Sequence, residues 1–255
     1  MRVRAVARRI DRRLRIRRKL PRDVIRNAME DVFETDINID AINKVIVIDS
    51  HKFLYNRVKK NANSYLSVVL NFISTKHVTR VVQSRRMAPK LRLLSEEEIG
   101  SLRDHRRMIV VRNPYSRTLS AFLDKFRVED IRRAHGEFSL EPEGFRQFVR
   151  WLDDGGLSAN GHWDLQAKEI LMPLNRYTDV VRFEQLDETL PQFFADVGID
   201  ISGMNRKGAF DRGRRHETNA SERLRRYYDD ESRDTVARLF ESDFKALGYA
   251  PDQLL

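Results

Sequence analysis

Two short stretches place cationic and hydroxyl side chains where a strand-like segment turns into a helix-like one. They are "NRVKKNANSYLSVVLNF", from Asn56 to Phe72, and "MIVVRNPYSRTLSAFLDKF", from Met108 to Phe126. The first turn offers Lys59, Lys60, Asn61, Ala62, Asn63 and Ser64. Helix N-termini attract anions, because their unpaired N–H groups and the helix dipole both favour negative charge. The amides of this turn, the Lys60 ammonium and the Ser64 hydroxyl could together hold one phosphate. In the second turn Arg112 ends an apolar run, where a guanidinium is costly unless it meets an anion. Ser120 follows about six residues into the helix, roughly 9 Å of axial rise, so Arg112 and Ser120 could grip a second phosphate from two directions. The bland alternatives are a solvated Lys-Lys turn, an Arg112 paired with a core carboxylate, and a Ser120 that only packs.

Other chemistries are restricted by composition. The chain has 255 residues and no cysteine, which excludes disulfides, thiolate zinc sites and cysteine nucleophiles. The nucleotide-triphosphatase pattern G-x-x-x-x-G-K-[ST] is missing, and the first turn contains no glycine. No carboxylate or histidine cluster is spaced for a metal ion, so none is expected. The net charge of +10 is concentrated at the start, where residues 1–20 hold nine arginines and Lys19 against one acid, Asp11. Val3, Val6, Ile10, Leu14 and Ile16 have helical spacing there, until Pro21. This reads as a basic helical extension over residues 1–40, suited to an anionic membrane surface or else a solvated arm. A nucleic-acid binder spreads basic residues over a recognisable module, so no specific nucleic acid is expected. No apolar run approaches the roughly 18 residues of a membrane span, and the start lacks a secretory signal's apolar segment. The expectation is a soluble, cytoplasmic protein, with peripheral membrane contact open to residues 1–20.

The elements that must position the two turns follow from periodicity and punctuation. Helices are predicted at Asp23–Phe33, Ser64–Ser74, Ser95–Arg103, Pro114–Arg133, Glu141–Leu152 and Leu186–Val197, with two more between Ser221 and Leu247. Ser95 and Glu98 have the spacing of a capping box, and Pro114 sits at a natural first helical position. Strands are predicted at Lys44–Asp49, Phe53–Val58, Val78–Gln83, Met108–Val111 and Asp179–Phe183, with a Gly- and Arg-rich loop over 200–219. Alternating strands and helices, with several strands continuously apolar, indicate an α/β domain over residues 41–255. Its sheet would be mostly parallel and covered by helices on both faces. Ligands in such folds sit at the carboxyl ends of strands, where both turns lie.

Taken together, "RVKKNANSYL" and "VVRNPYSRTLSAFLDKF" resemble the sulfotransferases that use 3′-phosphoadenosine 5′-phosphosulfate, particularly the carbohydrate sulfotransferase branch. The resemblance continues through "GHWDLQ", "YTDVVRFEQLDETL" and "FESDFKALGY". It implies a P-loop-like three-layer fold and an enzyme that moves a sulfonate group to a hydroxyl of a carbohydrate or glycolipid. The donor's 5′-phosphosulfate would rest on the Lys60–Ser64 turn and its 3′-phosphate on Arg112 and Ser120, with Lys60 stabilising the leaving oxygen. Lys59 stands where the family usually has a proline. The segment Arg206-Lys207-Gly208 resembles a loop that cytosolic sulfotransferases close over the 3′-phosphate. The acceptor hydroxyl needs a base that titrates near neutrality, which points to His162 in Gly161-His162-Trp163. Glu184, at the end of DVVRF, is the alternative base. Trp163 suits either stacking on a sugar face or the core. The rival functions are a nucleotide-dependent phosphotransferase and an anionic-polymer or membrane binder acting through the arginine-rich start.

Overall fold

The computed structural model describes residues 20–75, 90–200 and 219–253. Among these residues, four strands form one sheet in the order β1-β2-β3-β4: Val45–Ile48, Phe53–Asn56, Arg106–Val111 and Asp179–Arg182. β1 and β2 are antiparallel, with Val45 opposite Asn56, and join through a one-turn 3-10 helix at Asp49–His51. β2, β3 and β4 are parallel, with Phe53 opposite Arg106 and Met108 opposite Asp179. The mostly parallel α/β arrangement is therefore as expected. The predicted strand Val78–Gln83, the arginine-rich residues 1–19 and the segment holding Arg206, Lys207 and Gly208 lie outside the described residues.

β1, β2 and the end of β3 are buried on both faces, and successive side chains point opposite ways. Val45, Val47, Leu54, Ile109 and Val111 pack into one core. Ile46, Ile48, Phe53, Tyr55, Met108, Val110 and Val181 pack into another on the reverse face. This alternation explains why the strands read as unbroken apolar runs. The helix Arg22–Phe33 (α1) buries Ile25, Met29, Val32 and Phe33 in the first core. α1 thus shares a core with β1, β2 and β3. A third, largely aromatic cluster lies among Pro114–Lys125 (α4), Pro142–Asp153 (α6) and the C-terminal helices. Here α2 denotes Asn63–Thr75, α3 Glu96–Gly100 and α5 Glu129–His135.

Local signals set several helix ends. The Ser95 hydroxyl accepts from the Glu98 amide at 3.3 Å, and the Glu98 carboxylate accepts from the Ser95 amide at 2.8 Å, completing the capping box. Asn113 caps α4 by accepting from the Tyr115 amide, with Pro114 in the first turn. Two expectations need correction. The helix predicted from Pro114 to Arg133 is two helices, because Val128 is extended and the chain restarts at Glu129 and Asp130, acids suited to a new N-terminus. The C-terminal region holds three helices, Ala220–Tyr227, Asp230–Leu239 and Glu241–Leu247. Asp229 and Ser232 cap the second of them reciprocally, which separates it from the first. Among the described residues, no helix is long and apolar enough to cross a membrane.

Candidate active site

The parallel strands β2, β3 and β4 all end on the same edge of the sheet, so the segments after Asn56, Val111 and Arg182 converge there. The first of them bends sharply before α2. Lys60 and Ala62 have φ of 70° and 55°, left-handed conformations held by residues other than glycine. Such backbone costs about 1–3 kcal/mol per residue and persists where surrounding structure enforces it, typically at ligand clamps. Left-handed residues in a tight turn can gather amide N–H groups into an anion-binding concavity, and this turn leads directly into the N-terminus of α2. Asn61 does the enforcing. Its Nδ2 donates to the Val110 carbonyl at 2.9 Å and to Gln166 Oε1 at 2.7 Å, so its side chain ties the loop to the sheet. Asn63 opens α2, with the Ser67 hydroxyl on its carbonyl, and Ser64 follows in the first turn, partly buried.

The two lysines go different ways. Glu169 holds Lys59: its Oε2 accepts from the Lys59 amide at 2.6 Å, and its Oε1 lies 3.6 Å from Lys59 Nζ. The Lys59 ammonium lies against Gly161, where a Cβ would come within 2.3 Å of Nζ, so a side chain there would displace it. Lys60 Nζ donates to Asp124 Oδ2 on α4 at 2.9 Å. Burial pushes Lys60 down to about 8, opposed chiefly by the charge of Asp124.

Arg112 is fully buried at the end of β3. Its Nη1 donates to the Lys60 carbonyl at 3.0 Å and its Nε to Ser116 Oγ at 3.0 Å. The guanidinium stacks 3.8 Å from the centre of the Phe183 ring. No carboxylate among the described residues is ion-paired to it, and burial lowers it to about 10 against the opposing charge of Glu184. The two basic turns are thus one assembly, joined at the Lys60 carbonyl. Ser116, Ser120 and Asp124 stand four residues apart and share one face of α4. Ser120 is buried there, one turn beyond the hydroxyl that Arg112 contacts.

His162 is half-buried in the connection after Gly156–Ala159. Asn160 Oδ1 accepts from the His162 amide at 3.1 Å and lies 2.8 Å from its Nδ1. A backbone amide only donates, so the Asn160 atom is the oxygen and Nδ1 carries the proton. Nε2 of the neutral ring is then the basic nitrogen. Burial, and then the charges of Lys125, Lys59 and Lys60, push His162 down to about 3, with Asp124 opposing. The structure therefore brings His162 beside both lysines of the first turn. Glu184 is placed differently. Its Oε1 accepts from the Asn113 amide at 3.0 Å and lies 3.3 Å from Ser116 Oγ, and its Oε2 accepts from Tyr249 at 2.8 Å. One oxygen braces the start of α4 and the other ties it to the segment after the last helix. Trp163 belongs to the core: it is fully buried, stacks on Phe126 and donates to the Gly156 carbonyl at 3.1 Å.

Several residues of the site were not singled out from sequence. Gln166 accepts from Asn61 and from the Arg112 amide, and donates to the Arg112 carbonyl at 2.8 Å. Asp243 accepts from the amides of Gln166 and Ala167 at 2.8 and 2.9 Å. Arg117, fully buried, donates to the carbonyls of Lys59 at 3.1 Å and Asp164 at 2.7 Å, bridging the first turn to the His162 segment. These residues lie inside the stretches that carry the family resemblance, yet their partners are distant in sequence. Asp124 had the one local signal, its spacing from Ser116 and Ser120. Among the described residues, no group of His, Asp and Glu could hold a metal ion.

The chain is similar to known proteins along most of its length. The chain is 28% identical over 291 residues to carbohydrate sulfotransferase 10 of Homo sapiens, covering 94% of this chain and 76% of that protein. The same protein of Gallus gallus is 27% identical over 294 residues, covering 95% and 76%. That of Xenopus laevis is 25% identical over 282 residues, covering 91% and 75%. No solved structure matches. Residues 43–250, from β1 through the last helix, match the sulfotransferase family, and the chain belongs to that family as a sulfotransferase enzyme.

Proposed function

We propose that this protein transfers the sulfonate group of 3′-phosphoadenosine 5′-phosphosulfate to a hydroxyl of a carbohydrate, free or on a glycolipid. The observation that carries this reading is the hydrogen bond from Arg112 to the Lys60 carbonyl, which makes the two anion-binding turns one site. A donor with two separated anionic groups suits such a site. The 5′-phosphosulfate would rest on the strained Lys60–Ser64 turn, and the 3′-phosphate beside Arg112 and Ser120. The carbohydrate acceptor is supported by the relatives, which are named carbohydrate sulfotransferases.

Transfer is an in-line displacement. The acceptor oxygen forms a bond to sulfur while the bond from sulfur to the bridging phosphate oxygen breaks, leaving adenosine 3′,5′-bisphosphate. Negative charge grows on that bridging oxygen, and Lys60 is the cation suited to meet it. The acceptor's proton goes to His162 Nε2, the nitrogen that the Asn160 contact leaves basic. Burial first, and then the charges of Lys125, Lys59 and Lys60, make His162 a weak base. The donor's anionic groups offset those lysine charges and raise the basicity of the ring once the donor is bound.

Incubation of the purified chain with donor carrying a labelled sulfonate and a panel of oligosaccharides and glycolipids tests the reading. Label should appear as an acid-resistant sulfate ester on a sugar hydroxyl. Label transferred only to phenols or lipid alcohols would sink the carbohydrate assignment, and labelled donor left intact across the panel would sink the transfer itself.

A further inference from the structure

Asp124 occupies the third place on the face of α4 that carries Ser116 and Ser120. Its Oδ2 lies 2.9 Å from Lys60 Nζ and 2.9 Å from Lys125 Nζ, so two ammonium groups compete for one oxygen. The Lys60 and Asp124 side chains are only 10% and 15% exposed, so water screens the pair weakly. Lys60 faces Asp124 and Lys125 on α4, Arg112 after β3, and His162 in the connection after α6, while Lys59, its chain neighbour, is engaged with Glu169. Asp124 is the only anion in that set.

We infer that Asp124 is a positioning residue for sulfonate transfer, holding the Lys60 side chain charged and laid along α4 until the leaving oxygen takes it over. Burial works against the ammonium, and Asp124 is the largest influence opposing it. Lys125 acts the other way, by its like charge and by sharing Oδ2. The inference rests on the proposal that Lys60 meets the leaving oxygen. Its signature is a pair of responses opposite in sign. Loss of the Asp124 charge makes Lys60 release its proton at lower pH, and loss of the Lys125 charge makes it release the proton at higher pH. A carboxylate that merely braced the helix would leave the basic limb of the activity profile in place.

The test uses the full chain with isotope-labelled lysine side chains. Lys60 is titrated by NMR in the wild type, Asp124→Asn, Asp124→Glu and Lys125→Gln, alongside the pH profile of kcat/KM for the donor. Asp124→Asn should lower both the Lys60 titration and the basic limb of the profile by about one pH unit or more. Lys125→Gln should raise both, and Asp124→Glu should restore most of the wild-type behaviour. An unmoved Lys60 titration in Asp124→Asn overturns the inference whatever the reaction is. A titration that moves while the basic limb stays put overturns it too, and Lys60→Ala then locates the fault. Near-normal turnover in Lys60→Ala would mean that the leaving-group reading has failed, whereas an inactive Lys60→Ala would confine the failure to Asp124. If Asp124→Asn does not fold, Lys125→Gln carries the test alone, and an unchanged or lowered titration there overturns the inference.

Discussion

Gln166 and Arg112 are joined twice: the Gln166 side-chain amide donates to the Arg112 carbonyl at 2.8 Å, and its oxygen lies 3.3 Å from the Arg112 amide. One buried glutamine thereby extends the hydrogen bonding of β3 by a residue, at the point where the chain turns toward α4. The same oxygen takes the Asn61 side-chain amide, so the orientation of both basic turns depends on a side chain from the His162 segment.

Gln166→Leu should therefore weaken the donor site and the fold together. Each buried polar group left unpaired costs about 1–3 kcal/mol, so a lower melting temperature is expected, along with a raised donor Kd. Gln166→Glu keeps the shape and the accepting oxygen but loses the donor to the Arg112 carbonyl, and should fall between the two. Thermal melts and donor titration check this. A Leu variant with wild-type donor affinity would show that the two turns hold their places without Gln166.

Adenosine 3′,5′-bisphosphate should bind and stabilise the native state. A ligand that binds only the folded chain raises the melting temperature with the logarithm of its excess over Kd. Arg112→Ala should abolish most of the rise. A flat melting temperature at millimolar ligand would argue against the donor.

Arg112→Ala and Lys60→Ala should separate kinetically. Arg112 would hold a phosphate in the ground and transition states alike, so its loss should appear as a higher donor KM. Lys60 would meet charge that grows during transfer, so its loss should appear in kcat, with donor Kd changed little. Equal changes in both constants for both variants would remove this division.

His162 gives a pH prediction with a definite sign. An unfolded histidine binds its proton near pH 6.5, whereas burial and three lysines keep His162 neutral until about 3. Between these values the unfolded chain binds more protons, so His162 lowers stability as pH falls through this window. His162→Ala should flatten that part of the stability curve. Bound adenosine 3′,5′-bisphosphate should raise the histidine's titration and so favour proton uptake on binding, which NMR of the ring can follow. The same variant should keep donor affinity while turnover falls by about two to four orders of magnitude. Near-normal turnover, beside an inactive but folded Glu184→Gln, would transfer the base role to Glu184.

The sequence by itself determined whatever depends on near neighbours. Unbroken apolar runs marked β1 to β3, because strands buried on both faces need no polar alternation. Pro114 marked the start of α4, and Ser95 and Glu98 that of α3, because helix-start signals act within a few residues. The basic turns were legible for the same reason. Tertiary structure alone decided how their charges are held. Asn61 meets Gln166 across 105 residues, Lys59 meets Glu169 across 110, and Lys60 meets Asp124 across 64. It also made Trp163 a core residue and set the Glu184 oxygens between the start of α4 and Tyr249. The break after Phe126 was likewise hidden: the apolar pattern runs on through Val128, but Phe126 turns inward against Trp163 and Phe148 while Val128 is exposed. Hydrogen bonds and ion pairs in a buried site are set by which strand ends lie side by side. Sheet order decides that, and no local spacing encodes it.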